Sequence, residues 1–331
     1  GPGRRPSRIV LERAKSETMI EARGLARHYM IGRRVLHALD GIDLAVDRGA
    51  TLGLVGESGS GKSTLGRTLV GLQKPTLGKV LFEGKDAAST EPLFLKRLRR
   101  ERQIIFQDPS GALNPRMTIG ATVVEHLRVQ GWSRAEAQRQ AVQSIEQAGL
   151  SSAFLARYPH EISGGQRQRA VIARAISTDP AFIVADEPVS ALDVSTRAQI
   201  MNLLRKLQME RGLTMLFISH DLSVVAHMCR DVAVMHLGRI VERAPRAVLF
   251  KSPRHPYTAA LLSAIPIPDP EREKKRTRII LKGETPNPAD KPSGCSFHTR
   301  CPRATELCRE VDPPARLVAA GHEIACHHPL D

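Results

Sequence analysis

Thr51-Leu52-Gly53-Leu54-Val55-Gly56-Glu57-Ser58-Gly59-Ser60-Gly61-Lys62-Ser63 decides the fold of this chain. From Gly56 onward the residues fit G-x-x-x-x-G-K-[ST] at every position. The glycines let the backbone wrap closely around phosphate oxygens and aim successive N–H groups at them. Lys62 brings a compact positive charge to the β- and γ-phosphates of a nucleotide, and the Ser63 hydroxyl is a ligand for Mg²⁺. The apolar run before the motif reads as a strand. Ser63-Thr64-Leu65 after it opens a helix whose positive dipole end faces the phosphates. A glycine-rich turn arising by chance would not carry both flanks. The predicted phosphate set is Gly56, Ser58, Gly59, Ser60, Gly61, Lys62, Ser63 and Thr64.

Two further runs, Ala181-Phe182-Ile183-Val184-Ala185 and Thr214-Met215-Leu216-Phe217-Ile218, are nearly continuous in apolar residues, as strands covered on both faces should be. Alternating with helical patterns, they predict a parallel α/β sheet. The Ala181–Ala185 strand ends in Asp186-Glu187. Asp186 is placed to bind Mg²⁺ through water, and Glu187 to polarise an attacking water. Residues 117–150 read as mainly helical: Ser133 and Glu136 form a capping box, and Ala137, Ala141, Ile145 and Ala148 recur at helical spacing.

Composition agrees. The 331 residues allow one large domain and a small appendage, and aromatics at 4% suit an aliphatic sheet core. No apolar run approaches the roughly 20 residues of a membrane-spanning helix. Residues 1–22 read as a flexible polar leader: Arg4-Arg5 is followed by no apolar segment, so it is not a secretory signal, and Gly1-Pro2 resembles a cleavage scar. A net charge of +15 suits nucleic acid, an anionic membrane surface or a solvated exterior. Past residue 250, prolines at 266, 268, 270, 286, 288 and 292 break any long element, and Glu271-Arg272-Glu273-Lys274-Lys275-Arg276 reads as a solvated face.

Kinases, GTPases and helicases also carry such a phosphate loop. Ser163-Gly164-Gly165-Gln166-Arg167-Gln168-Arg169 separates them: it resembles the signature of ABC ATPases, a glycine-bearing helix N-terminus that reaches the γ-phosphate across a dimer interface. Ile162 stands where leucine is commonest, a departure expected to affect packing only. The remaining motifs of that family follow in order. Gln107 in Ile104-Ile105-Phe106-Gln107-Asp108 resembles the Q-loop glutamine, which touches Mg²⁺. Ser190-Ala191-Leu192-Asp193 resembles the D-loop, His220 the switch histidine, and Tyr29 the aromatic that stacks on adenine. The resemblance implies an ABC cassette on a P-loop NTPase fold. That fold has a RecA-like parallel-sheet core, an antiparallel β part, a helical subdomain at about 108–168 within a nucleotide-binding domain of 23–245, and a C-terminal extension of 246–331. With Lys62 and Glu187 both present, a non-enzymatic regulatory role is not expected.

The sequence is similar in particular to dipeptide and oligopeptide importer ATPases. Gln107-Asp108-Pro109 with Leu113-Asn114-Pro115-Arg116 resembles their extended Q-loop. His255-Pro256-Tyr257-Thr258 and Gly294-Cys295-Ser296-Phe297 resemble their C-terminal extension. That resemblance implies an ATPase on the cytoplasmic face of the membrane, paired with a second, non-identical ATPase. Gln166 places this chain in the Ser-Gly-Gly-Gln class of the two. It also implies two permease subunits and an extracytoplasmic solute-binding protein. The competing expectation is a soluble ABC ATPase acting on nucleic acid or ribosomes. Such proteins usually carry two cassettes or long insertions, so no nucleic-acid partner is expected here.

Cys295, Cys301, Cys308 and Cys326 match none of the commoner zinc or ferredoxin spacings. Four thiols in a short Pro-rich tail still suggest a metal clamp. The resembled family carries a [4Fe–4S] cluster at such cysteines; zinc, with His322, His327 and His328 nearby, and free thiols stay open. Cys229 reads as a packed core thiol.

Overall fold

The computed structural model describes residues 18–266, 271, 278–281, 283 and 286–331. Residues 1–17 of the expected leader, Pro268, Pro270 and residues 272–276 of the charge run lie outside them. In chain order the strands are β1 (Thr18–Ile31), β2 (Arg34–Asp47), β3 (Thr51–Val55), β4 (Leu77–Phe82), β5 (Lys85–Asp86), β6 (Arg102–Ile105), β7 (Phe182–Asp186), β8 (Thr214–Ile218), β9 (Asp231–His236), β10 (Arg239–Pro245), β11 (Arg316–Ala319) and β12 (His322–Ile324). The helices are α1 (Lys62–Leu69), α2 (Pro92–Glu101), α3 (Pro109–Ala112), α4 (Ile119–Val129), α5 (Arg134–Gln147), α6 (Gly164–Ile176), α7 (Val194–Arg211), α8 (Leu222–Met228), α9 (Arg246–Lys251), α10 (Pro256–Ser263) and α11 (Glu306–Glu310).

The apolar runs pair as parallel strands because both their faces must be covered. β6, β7, β8, β3 and β9 lie side by side and parallel. Alternate side chains of these strands feed two different cores. Phe182, Val184, Leu216 and Ile218 pack with Leu65 and Leu69 of α1 and with β1, β2 and β4. Ile183, Ala185, Met215 and Phe217 pack with α6, α7 and α8. A separate antiparallel sheet of order β2-β1-β4-β5 covers the first face. Helices α4 and α5 add a third small core around Val123, Leu127, Ala137 and Ala141. The Ser133–Glu136 capping box forms as expected, Ser133 N donating to Glu136 Oε2 at 2.9 Å and Glu136 N to Ser133 Oγ at 3.3 Å. Cys229 is 5% exposed and packs over Gly53, where a Cβ would meet its Sγ at 3.0 Å.

Two expectations need correction. The leader does not reach residue 22: Thr18–Ala22 are already part of β1, with Met19, Ile20 and Ala22 each 1% exposed. β1 shifts register against β2 at four places, and each bulge interrupts the period-two alternation by which a strand is read. Nor is the tail an appendage with a weak core of its own. β12 pairs with β10, and β11 with β12, so the tail continues the main sheet. Tyr257, Cys295, Phe297 and Cys308 share one core with Val232 and Val234 of β9.

A buried carboxylate joins these pieces. Glu242 of β10, fully buried, accepts from Arg254 N (2.7 Å), His255 N (3.0 Å) and His322 Nε2 (2.7 Å). Glu242→Ala would strand two backbone donors and a buried imidazole, a loss of order 3 kcal/mol. We expect a thermal midpoint lowered by several degrees and early proteolytic loss of residues 322–331, read by calorimetry and limited digestion.

Candidate functional site

At the C-terminal ends of the parallel strands, β3 runs into the phosphate loop and α1. Gly56 and Gly61 are required by close approach. A Cβ at Gly56 would lie 2.2 Å from Met235 O, and one at Gly61, where φ is +104°, would lie 2.3 Å from Ala38 O. No side chain caps α1, so its first N–H groups stay open to an anion. Lys62 is 5% exposed and donates from Nζ to Gly56 O and Glu57 O, each at 2.8 Å. Burial lowers its pKa, and the nearby Glu187, Asp186 and Glu57 oppose that shift.

β7 delivers the acids. Ser63 Oγ donates to Asp186 Oδ1 at 2.9 Å, and burial raises the Asp186 pKa. This hydroxyl and carboxylate are the hard oxygen donors that suit Mg²⁺, so the donor set fits that ion. Glu187 adopts the left-handed conformation, φ 47°, uncommon for a residue with a side chain. Its Oε2 accepts from Gln107 Nε2 at 3.0 Å and faces His220 Nδ1 at 3.0 Å. Tyr29, Ser58, Gly59, Gly61, Lys62, Ser63, Thr64, Gln107, Glu187 and His220 line one cavity of about 670 Å³. The Tyr29 hydroxyl donates to Gln73 Oε1 at 2.8 Å, and the Arg27 guanidinium covers one ring face 4.7 Å from its centre. Gly56, Ser60 and Asp186 do not line it. The cavity also takes Leu36, Ala38 and Pro288, which no local motif marks.

The signature residues lie elsewhere. Ser163 caps α6, Gln166 N donating to its Oγ at 3.3 Å and Ser163 N to Gln166 Oε1 at 2.9 Å. None of Ser163 to Gln166 lines the cavity. Gly165 is needed by this chain's own packing, since a Cβ there would meet Thr196 Cγ2 at 2.4 Å. Around Gly164 there is open space. Asp193 caps α7, accepting from Thr196 N (2.9 Å) and Ser195 Oγ (2.7 Å), and these bonds hold its carboxyl far below the usual range.

This geometry coincides with a family model. Residues 39–190 match the ABC transporter family and residues 241–308 the "oligopeptide/dipeptide transporter, C-terminal region" family. A putative peptide import ATP-binding protein of Brucella ovis is 52% identical over 309 residues, covering 93% of this chain and 97% of that protein. The chain belongs to the ABC transporter family. It is an ATPase of that family, built on its cassette fold. The oligopeptide transport ATP-binding protein AppF of Bacillus subtilis is 46% identical over 323 residues, covering 95% of this chain and 98% of that one. The solved dimeric cassette MJ0796, in a post-hydrolysis state bound to ADP and Pi, superposes with a TM-score of 0.62 at 30% identity. That match covers 69% of this chain and 99% of that one.

The four tail cysteines gather in one place. Burial, with neighbouring thiols adding to it, raises Cys295 to about 11, and burial also raises Cys301 and Cys326. The backbone N–H groups of Phe297, Arg303 and His328 face the sulfurs of Cys295, Cys301 and Cys326, each two residues on. No three of these sulfurs lie within 4.8 Å of one another. Among the described residues, His28, His37 and Asp40 do come within that distance. Asp40 is already held by Lys291 at 2.6 Å and Arg239 at 3.1 Å, two cations that oppose a metal there.

Gly61→Ala tests the close approach at the cassette's phosphate loop. Left-handed strain plus a clash with backbone should cost 1–3 kcal/mol or more, so ATP affinity should fall by about tenfold or more. Titration with a fluorescent ATP analogue, with folding checked by circular dichroism, measures it.

Proposed function

We propose that this cassette powers uptake of peptides or a related small solute, working at the cytoplasmic face of the membrane. Its partners are a second, non-identical cassette, two permease subunits and an extracytoplasmic binding protein. The observation that carries this reading is the separation within one chain of the phosphate cavity from the signature turn. Each is half of a site, and Gly164 leaves open space where another chain's nucleotide could approach. Peptide transport is the role named for the relatives from Brucella ovis and Bacillus subtilis. Among the described residues no helix is long and apolar enough to cross a membrane, so translocation would fall to other subunits.

In the closed pair, Tyr29 stacks on adenine, and Gly56, Ser58, Gly59, Ser60, Gly61, Lys62 and Thr64 hold the phosphates. Ser63, Gln107 and, through water, Asp186 would hold Mg²⁺, which would neutralise charge on the nucleotide's phosphates. Glu187 accepts the proton of the attacking water while Gln107 and His220 orient its carboxylate. Ser163, Gly164, Gly165 and Gln166 cover the partner's γ-phosphate, and Asp193 fixes the loop between the two sites. Closure and reopening of the pair move the permeases.

For the tail we infer a [4Fe–4S] cluster held by Cys295, Cys301, Cys308 and Cys326. N–H groups aimed at three of the sulfurs suit thiolates on a cluster.

Glu187→Gln should cut turnover of the assembled transporter by ~10²–10⁴-fold while ATP still binds; activity within threefold of wild type would contradict the role. The chain alone should hydrolyse ATP slowly, and turnover matching the full complex would remove the need for a partner cassette. Anaerobically purified protein should be brown, absorb near ~400 nm and carry about four irons per chain. Colourless protein with stoichiometric zinc, or with four reduced thiols and no metal, would overturn the cluster.

A further inference from the structure

His255-Pro256-Tyr257-Thr258 and Gly294-Cys295-Ser296-Phe297 are two tail segments singled out by sequence, and nucleotide chemistry uses neither. Tyr257 of the first, and Arg300 just past the second, converge on one residue of the phosphate loop. Tyr257 is fully buried, its ring packed against His236 and Phe297 with centroids 4.7 and 5.3 Å away. Its Oη accepts from Glu57 N at 2.9 Å. Arg300, chain neighbour of Cys301, grips the Glu57 carboxylate with both terminal nitrogens, at 2.7 and 2.9 Å. The pair is sheltered: the Arg300 side chain is 8% exposed and that of Glu57 26%. Bidentate geometry away from solvent makes it stronger than an ordinary surface ion pair.

Glu57 is not a bystander in the loop. Its carbonyl and that of Gly56 are the two backbone acceptors for Lys62 Nζ. One residue is thus held by its N–H from Tyr257, by its side chain from Arg300, and holds the phosphate-binding lysine with its carbonyl. Rotating the Gly56–Glu57 peptide would move the Gly56 acceptor and break the tyrosine bond together. Residues 286–288 line a small cavity together with Glu57, Ser58, Gly59 and Ser60.

We propose that Arg300 and Tyr257 are positioning residues of the ATP site, by which the C-terminal extension holds the phosphate loop in the shape that receives nucleotide. The extension is then a working part of this chain's own nucleotide site rather than only a neighbour of it. Loss of the clamp costs ATP affinity more than maximal turnover, because Glu187, Gln107 and His220 are untouched.

The experiment titrates a fluorescent ATP analogue into the full chain for wild type, Arg300→Ala, Arg300→Lys, Glu57→Gln, the double variant Glu57→Gln/Arg300→Ala, and Tyr257→Phe. Lys62→Ala serves as the reference that keeps or removes the phosphate-loop reading itself, independently of the clamp. Arg300→Ala and Glu57→Gln should each weaken binding roughly three- to thirtyfold. Arg300→Lys should be intermediate, and the double variant no weaker than the weaker single one. Tyr257→Phe, which removes one oxygen and keeps the packing, should weaken binding in the same sense and guards against a misfolded Arg300 variant. In the transporter, KM for ATP should rise with kcat within about twofold of wild type, since binding alone is affected. Unchanged affinity in folded Arg300→Ala or in Tyr257→Phe would overturn the proposal. So would additive losses in the double variant, which would mean that the two side chains do not act as one unit.

Discussion

The constraint on which this structure depends is a buried ammonium. Lys62 sits at the first position of α1 with almost no exposed surface, so its charge must be met by whatever the backbone places around it. Two carbonyls meet it, and they are available only because the loop between β3 and α1 bends back over the lysine. That path runs against Met235 O and Ala38 O, where a Cβ has no room, and so the glycines follow from the lysine. Hard oxygen acids at the end of β7 complete the balance, and the parallel order β7-β8-β3-β9 brings that strand end to the loop. A nucleotide's phosphates would enter a site already arranged around positive charge and open amides.

Adjacent acids on a strand should point to opposite faces. Asp186 and Glu187 nevertheless serve the same end of the sheet. The conflict is resolved at Glu187, whose left-handed backbone ends β7 and turns its carboxylate into the cavity while Asp186 stays against Ser63. The cost of such a conformation is of order 1–3 kcal/mol and is met by the surrounding bonds. Glu187 N donates to Ile218 O at 3.0 Å, and Glu187 O accepts from Ser190 Oγ at 3.1 Å. Gln107 and His220 then hold the carboxylate from two other strand ends.

Local signals were legible and long-range ones were not. β3, β8 and all but one residue of β7 follow from apolar runs, and α5 from its capping box, because each is written within a few neighbouring residues. The cavity wall of Lys62, Ser63, Gln107, Glu187 and His220 follows from motifs whose spacing has chemical reasons. β1 was partly hidden, since bulges break its alternation. Tyr257 was quoted within a motif without a target and Arg300 was not marked at all, because their contacts to Glu57 span 200 and 243 residues. No periodicity reaches across such a distance.

That reach changes how the tail should be understood. A Pro-rich segment with few apolar residues suggests a region needing a metal to order it. Yet Phe297 and Tyr257 fill the same core as β9, β11 and β12 extend the main sheet, and Glu242 binds His322 from beneath. Order in residues 295–331 therefore draws on the cassette itself. Thiols drawn into this already packed region are raised in pKa by burial and one another, so a cationic group binding them must displace protons to do so. Such a group would tighten a turn whose next residue, Arg300, already holds the phosphate loop. The physical consequence is that the tail and the phosphate loop are joined directly through the few atoms around Glu57.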